Sequence, residues 1–282
     1  MKVLLMIAAI LIVTSLNAQT RSARLIIRGD DMGFSHAGNL GIIKSYKKGI
    51  EKSVEVLVPS PWFPEAVTLL KENPSIDVGI HLTLTSEWDN EKWRPLTDCK
   101  SLTDSNGYFY PMIWNNKNYP NQNLLAHQWK LSDIEKEWRA QIEVAMKNIP
   151  GITHISAHMG CINMDTTVAA LAKKLAKEYH LMLETGDGDL LNVGYNGAHT
   201  TDAEKIKSFI AMLDTLQPGK TYLFIDHPAV NSPELQAIHL KGYENVAEDR
   251  QGVVDVFTST KVKKFIRKKN INLISYKDLQ SQ

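Results

Sequence analysis

Apolar and polar positions along this chain follow two rhythms. Short apolar runs closed by turn residues mark buried strands, and apolar residues three and four apart mark helices. Leu25-Ile26-Ile27 opens the first run, which ends at Asp30-Asp31 just before Gly33. Helical spacing follows over 39–48 and stops at Gly49. A second strand is read over 53–58, broken by Pro59-Ser60-Pro61, and a helix over 62–72 is stopped by Asn73-Pro74. Further strands are read at 77–83, 153–158, 180–184, 221–226 and 271–276, with helical spacing at 131–148, 165–179, 202–216 and 252–269. Seven strands separated by helices predict an α/β fold, a single parallel (β/α) barrel over 19–282 with no second domain.

Three stretches break this rhythm. Lys2, an apolar run over 3–13 and the small residue Ala18 read as a signal peptide, 1–18, too short for a membrane span. The expectation is therefore an exported chain, periplasmic or extracellular, with no membrane span once the signal is removed. Residues 86–130 hold Trp88, Trp93, Trp114 and Trp129 among prolines and asparagines without a period. That is too long for a simple connection, so the segment reads as an insertion or lid. The glycine-rich 185–197 reads as a loop; its Asp187-Gly188-Asp189 lacks the remaining ligands of a calcium loop.

Composition changes the picture only a little. A formal charge of +1 over 282 residues argues against a nucleic-acid partner, which needs a basic face. The basic run 261–269 carries apolar residues at helical spacing and reads as the solvated face of a helix. Cys99 and Cys161 are read as unpaired.

Asp30-Asp31, His81, His158 and His227 all fall at or near the C-terminal ends of strands. In a (β/α) barrel those ends meet at one face, where active sites are built. One carboxylate with two imidazoles is a common ligand set for zinc or a related divalent ion, leaving positions open for water and substrate. Alternation along a strand points adjacent aspartates different ways, so one can hold a cation while the other takes a proton. A plainer reading makes Asp30-Asp31 a strand-end turn with Ser35 capping the next helix. Trp62 and Trp138, on helical stretches, read as core; Trp88, Trp93 and Trp114 read as either packing or sugar contacts.

Leu-Ile-Ile-x-x-Asp-Asp-x-Gly at 25–33, Val-Gly-Ile-His-Leu-Thr-Leu-Thr at 78–85, Thr-His-x-x-x-His at 153–158 and His-Pro at 227–228 resemble the YdjC-like carbohydrate deacetylases. Asp249-Arg250 and the closing Ile-Asn-Leu-Ile-Ser-Tyr extend the resemblance over nearly the whole chain after residue 18. It implies a distorted barrel and a divalent metal, zinc or magnesium, held by Asp31, His81 and His158. Asp30 is then the implied base and His227 the implied acid in removing acetyl groups from an N-acetylated sugar. The chain departs from the family pattern in two places. Many members continue Thr-His-x-Asp-Ser-His-x-His-x-His, whereas this chain has Ser156, Ala157, His158, Met159, Gly160, Cys161 and Ile162. An arginine expected after the fifth strand is replaced by Glu184-Thr185-Gly186-Asp187. Asp226 is a candidate to orient His227, Arg250 to pair with Asp30 or a substrate group or to form a surface or structural salt bridge, and His154 to serve behind a ligand or in the core. Two other readings stay open: a non-catalytic carbohydrate-binding protein, and a metal hydrolase of another amide or ester.

Overall fold

A computed structural model describes residues 22–185 and 190–280. The signal-peptide reading and Asp187-Gly188-Asp189 lie outside the described residues. Along the chain run β1 (Arg24–Met32), α1 (His36–Lys48), β2 (Ser53–Val56), α2 (Phe63–Glu72), β3 (Asp77–Leu82) and α3 (Leu131–Asn148). Then come β4 (Ile152–Ala157), α4 (Thr166–Glu178), β5 (Met182–Leu183), β6 (Leu190–Val193), α5 (Asp202–Thr215) and β7 (Thr221–Asp226). The chain closes with α6 (Pro233–Gln236), α7 (Val246–Thr258), α8 (Thr260–Lys268), β8 (Asn272–Ile274) and α9 (Lys277–Gln280).

The strands form one parallel sheet in the order β5-β4-β3-β2-β1-β7-β6, curled into an open half-barrel. β8 pairs with β1 at Arg24–Ile26, below the point where β2 takes over at Arg28. Helices cover the sheet, so β2 and β3 are buried along their whole length, as expected of a parallel sheet packed on both faces. The expected α/β barrel is thus present, with one strand more than the pattern predicts. That strand, β6, lies in the glycine-rich stretch read as a loop. It is four residues long and at the sheet edge, with Leu191 42% exposed and Asn192 interrupting its apolar residues, so it is too short to mark a period. The helical stretch 252–269 is two helices, parted at Ser259, whose hydroxyl caps α8 through the Val262 N–H.

Segment 86–130 contains only short 3₁₀ turns, yet it is firmly packed. Trp88, Trp93, Leu102, Phe109, Ile113 and Leu124 join the main hydrophobic core beside Trp138 of α3. Trp62, expected in the core, is instead 36% exposed ahead of α2, beside the His36 ring. Cys99 and Cys161 are both free and buried. Among the described residues no helix is long and apolar enough to cross a membrane.

Candidate active site

The site begins with an irregularity in β1. Gly29 pairs with Val54 and Met32 with Val56, so β1 carries one extra residue against β2, a β-bulge. Asp31 sits in it at φ 69, a left-handed conformation that aspartate tolerates better than most residues. Gly33 follows at φ 105, where a Cβ would meet the Ser60 hydroxyl and the Leu57 carbonyl. Ser35 then caps α1 by accepting from the Gly38 N–H at 2.9 Å. Strand-end turn and functional aspartates are therefore both present. The bulge corrects the simple alternation: Asp30 Oδ2 and Asp31 Oδ1 each lie 3.6 Å from His81 Nε2.

Asp31, His81 and His158 offer ligand atoms that all lie within 4.8 Å of one another, and all three side chains are buried. His81 comes from β3, and His158 follows directly on β4. His158 Nδ1 is 3.1 Å from Asp31 Oδ1, while its Nε2 meets Glu87 Oε2 at 3.0 Å. Burial opposes a charge on His158, but the Glu87 and Asp31 carboxylates outweigh it and push the imidazole up to about 10. His81 goes the other way: burial, then the neighbouring His158, hold its pKa well below the usual histidine range.

These residues fit a divalent cation on the structure's own terms. Asp31 Oδ1 is buried and faces both imidazoles, His158 Nδ1 at 3.1 Å and His81 Nε2 at 3.6 Å, without a hydrogen bond of good geometry. A buried carboxylate oxygen in that position calls for positive charge beside it. With Asp31 on one side of His158 and Glu87 on the other, that charge can come from a proton on His158 or from a cation in its place.

Two arginines hold the two aspartates apart. Arg28, two residues earlier on β1, grips both oxygens of Asp30, Nε to Oδ1 at 2.7 Å and Nη2 to Oδ2 at 2.9 Å. Its Nη1 reaches Glu184 Oε2 at 2.9 Å and the Tyr276 hydroxyl at 3.2 Å. Arg250 Nη2 donates to Asp31 Oδ2 at 3.0 Å, so this arginine pairs with Asp31 and not with Asp30. Burial pushes Asp30 up to about 6 against the pull of Arg28.

His227 follows β7 and is 40% exposed, with Nε2 3.9 Å from Asp31 Oδ2. Asp226 does turn toward it: Oδ1 accepts from the His227 backbone N–H at 2.9 Å and lies 3.6 Å from ring Nδ1. Tyr195 donates to the other Asp226 oxygen at 2.8 Å. Burial disfavours charge on His227, but Asp31 and Asp226 prevail and raise its pKa.

A cavity of about 510 Å³ opens over this cluster, with Asp30, Asp31, His81, His158 and His227 in its lining. Its walls include Glu87 and Trp88 from segment 86–130, Met159, Glu184, Leu240 and Tyr243. Trp93 is buried away from it, donating to the Thr85 carbonyl, and Trp114 is exposed elsewhere. The five residues implied as ligands, base and acid thus line one cavity, and Arg250 joins them. Arg28, Glu55, Glu87 and Ser156 were not singled out as site residues, yet they brace its lining. Arg28 and Glu55 did leave a signal, as charges inside otherwise apolar strands. Glu87 left none, because its segment has no period.

A model of the YdjC-like protein family matches residues 24–268. A carbohydrate deacetylase of Clostridium beijerinckii is 30% identical over 268 residues, spanning 91% of this chain and 100% of its own. One from Enterococcus faecalis is 29% identical, over 91% of this chain and 98% of its own. The crystal structure of an Enterococcus faecalis V583 protein, described as a candidate for cellobiose-phosphate cleavage, aligns with a TM-score of 0.70 at 25% identity. That alignment spans 92% of this chain and 99% of the other. With this match over most of its length, the chain belongs to the YdjC-like family.

Proposed function

We propose that the protein is a metal-dependent deacetylase that removes acetyl groups from N-acetylated sugars or oligosaccharides, exported by its N-terminal segment. The observation that carries this reading is the convergence of Asp31, His81 and His158, whose ligand atoms all lie within 4.8 Å of one another. Asp30 and His227, neither needed as a ligand, stand beside that cluster. The names of the relatives support the same chemistry.

Amide hydrolysis needs a deprotonated water, a stabilised oxyanion and a protonated leaving amine. When bound, a divalent cation supplies Lewis acidity toward the acetyl oxygen and toward water. Asp30 accepts the proton lost by water as its oxygen bonds to the acetyl carbon. Arg28 keeps both Asp30 oxygens in place while this happens. His227 starts as the protonated imidazolium, favoured by Asp31 and Asp226, and gives its proton to the nitrogen as the C–N bond breaks. Acetate and a free amine are the products. His227 is also exposed enough to exchange its proton with solvent.

The deciding sample is the purified chain, loaded with zinc and given a panel of N-acetylated mono- and oligosaccharides. Acetate release from at least one is expected. Tight binding without turnover would favour a carbohydrate-binding protein, and release from simple esters or other amides alone would favour a hydrolase of another class.

A further inference from the structure

His81 pairs in register with Ser156 on the neighbouring strand β4, and its ring Nδ1 lies 2.6 Å from the Ser156 hydroxyl oxygen. A hydroxyl has a single proton to give. Ser156 gives it to Glu55, whose other oxygen pairs with His154 Nε2 and whose carboxylate lies 3.8 Å from Arg28. Burial opposes ionisation of Glu55, but His154 and Arg28 outweigh that cost and hold it down to about 2. An ionised carboxylate can only accept. The space for this chain of groups is kept open by Gly79, where a Cβ would overlap both the Glu55 carboxylate and the His154 ring.

Hydrogen accounting then leaves one arrangement. With its proton committed to Glu55, Ser156 can only accept from His81. The hydrogen of the neutral His81 ring therefore sits on Nδ1, and Nε2 presents a lone pair toward Asp30 and Asp31. Resting on the metal-site reading above, we propose that Glu55 is a positioning residue which, through Ser156, fixes His81 in the tautomer able to ligate a cation. The identity of the substrate plays no part in this.

Thr153 gives its proton to Asp77 and so accepts from His154 Nδ1, which leaves a neutral His154 Nε2 able to accept. In Glu55→Gln the amide can therefore turn either end toward Ser156, and Ser156 is no longer held as an acceptor for His81. Ser156→Ala likewise removes the constraint and leaves both tautomers available. Outer-shell partners of metal ligands typically contribute about 10–100-fold in affinity. Zinc affinity, measured on the purified chain by chelator competition, should fall by up to that factor in Ser156→Ala and no further in Glu55→Gln. The double variant should bind no more weakly than Ser156→Ala, because both changes act through one path. Nitrogen-15 NMR of ring-labelled histidine in the metal-free parent should report hydrogen on His81 Nδ1. Hydrogen on Nε2 there, or losses that add in the double variant, would overturn the proposal. If Glu55→Gln does not fold, the parent spectrum decides alone. A parent with the Nδ1 hydrogen that binds no zinc would instead defeat the metal-site reading.

Discussion

Asp30 and Asp31, neighbours in the chain, both lie 3.6 Å from the same nitrogen, His81 Nε2, yet each is held by a different arginine. The bulge makes this possible by swinging Asp31 back to the side that Asp30 already faces. Arg28 spends two donors on Asp30 and a third on Glu184, so Asp30 has a fixed orientation. Arg250 spends one donor on Asp31 Oδ2 and leaves Oδ1 to face the two imidazoles. One carboxylate is saturated and the other is open. That difference suits one to move protons and the other to hold a cation.

Metal binding should be visible as stability. A ligand at one hundred times its dissociation constant stabilises the native state by about 2.7 kcal/mol. Zinc should therefore raise the melting temperature of the parent by several degrees, and EDTA should reverse the gain. In His81→Ala and His158→Ala that response should vanish. A zinc-dependent shift of parental size in either variant would remove that histidine from the ligand set.

Arg28→Lys tests the orientation of Asp30 while keeping a positive charge. Lysine is a point donor and cannot reproduce the two-pronged grip of a guanidinium. Hydrogen bonds to charged groups contribute about 1.5–3 kcal/mol, so kcat should drop roughly ten- to a hundredfold with KM little changed. Zinc affinity should stay near that of the parent, because Arg28 does not touch Asp31, His81 or His158 and lysine keeps the positive charge beside Glu55. A change in KM or zinc affinity without a change in kcat would mean that Arg28 serves the fold or the substrate and not the base.

Much of this architecture is legible in the sequence because buried parallel strands are continuous apolar runs, and such runs end where chemistry begins. His81, His158 and His227 follow that rule, and so do the bounds of α3 and β7, which match the apolar pattern residue for residue. The bulge at Asp31 is not legible, since aspartate is common both in ordinary strand ends and at positive φ. The partner of Arg250 is hidden for the same reason: without the bulge Asp31 points away, so Asp30 is the carboxylate the pattern offers and the buried salt bridge to Asp31 is not foreseen. β6 escapes because an edge strand of four residues needs little burial. Glu87 and Trp88 reach the cavity only through the three-dimensional path of an aperiodic segment, which no local pattern encodes.

His227→Ala separates proton delivery from metal binding. The side chain is 40% exposed, so the fold should tolerate its loss. General acids typically contribute about 10²–10⁴-fold to rate, and kcat should fall within that range while zinc affinity holds. Asp226→Asn should produce a smaller loss, because it weakens the field that keeps His227 protonated without removing the proton donor. Equal losses in the two variants would argue that Asp226 shapes the site in some further way; no loss in either would exclude His227 as the acid.

A pH effect on stability should come from Glu91, beside the cavity wall but outside the proposed ligand set. Burial, then the nearby carboxylates of Glu234 and Glu87, push it up to about 8. In the unfolded chain a glutamate titrates at about 4.3. Between those two values the native state holds a proton that the unfolded state has lost, so stability falls as pH rises. The contribution is whole below about 4.3, declines above it and reaches its floor once pH passes about 8. Glu91→Gln keeps the shape of the protonated acid and removes the titration. Its melting temperature should match the parent near pH 4 and exceed it at pH 8.5, with zinc absent from both samples so that metal binding does not add a slope of its own. Parallel pH profiles for the two proteins would show that Glu91 is charged in the native state at neutral pH, and that the carboxylates around it are better solvated than their burial implies.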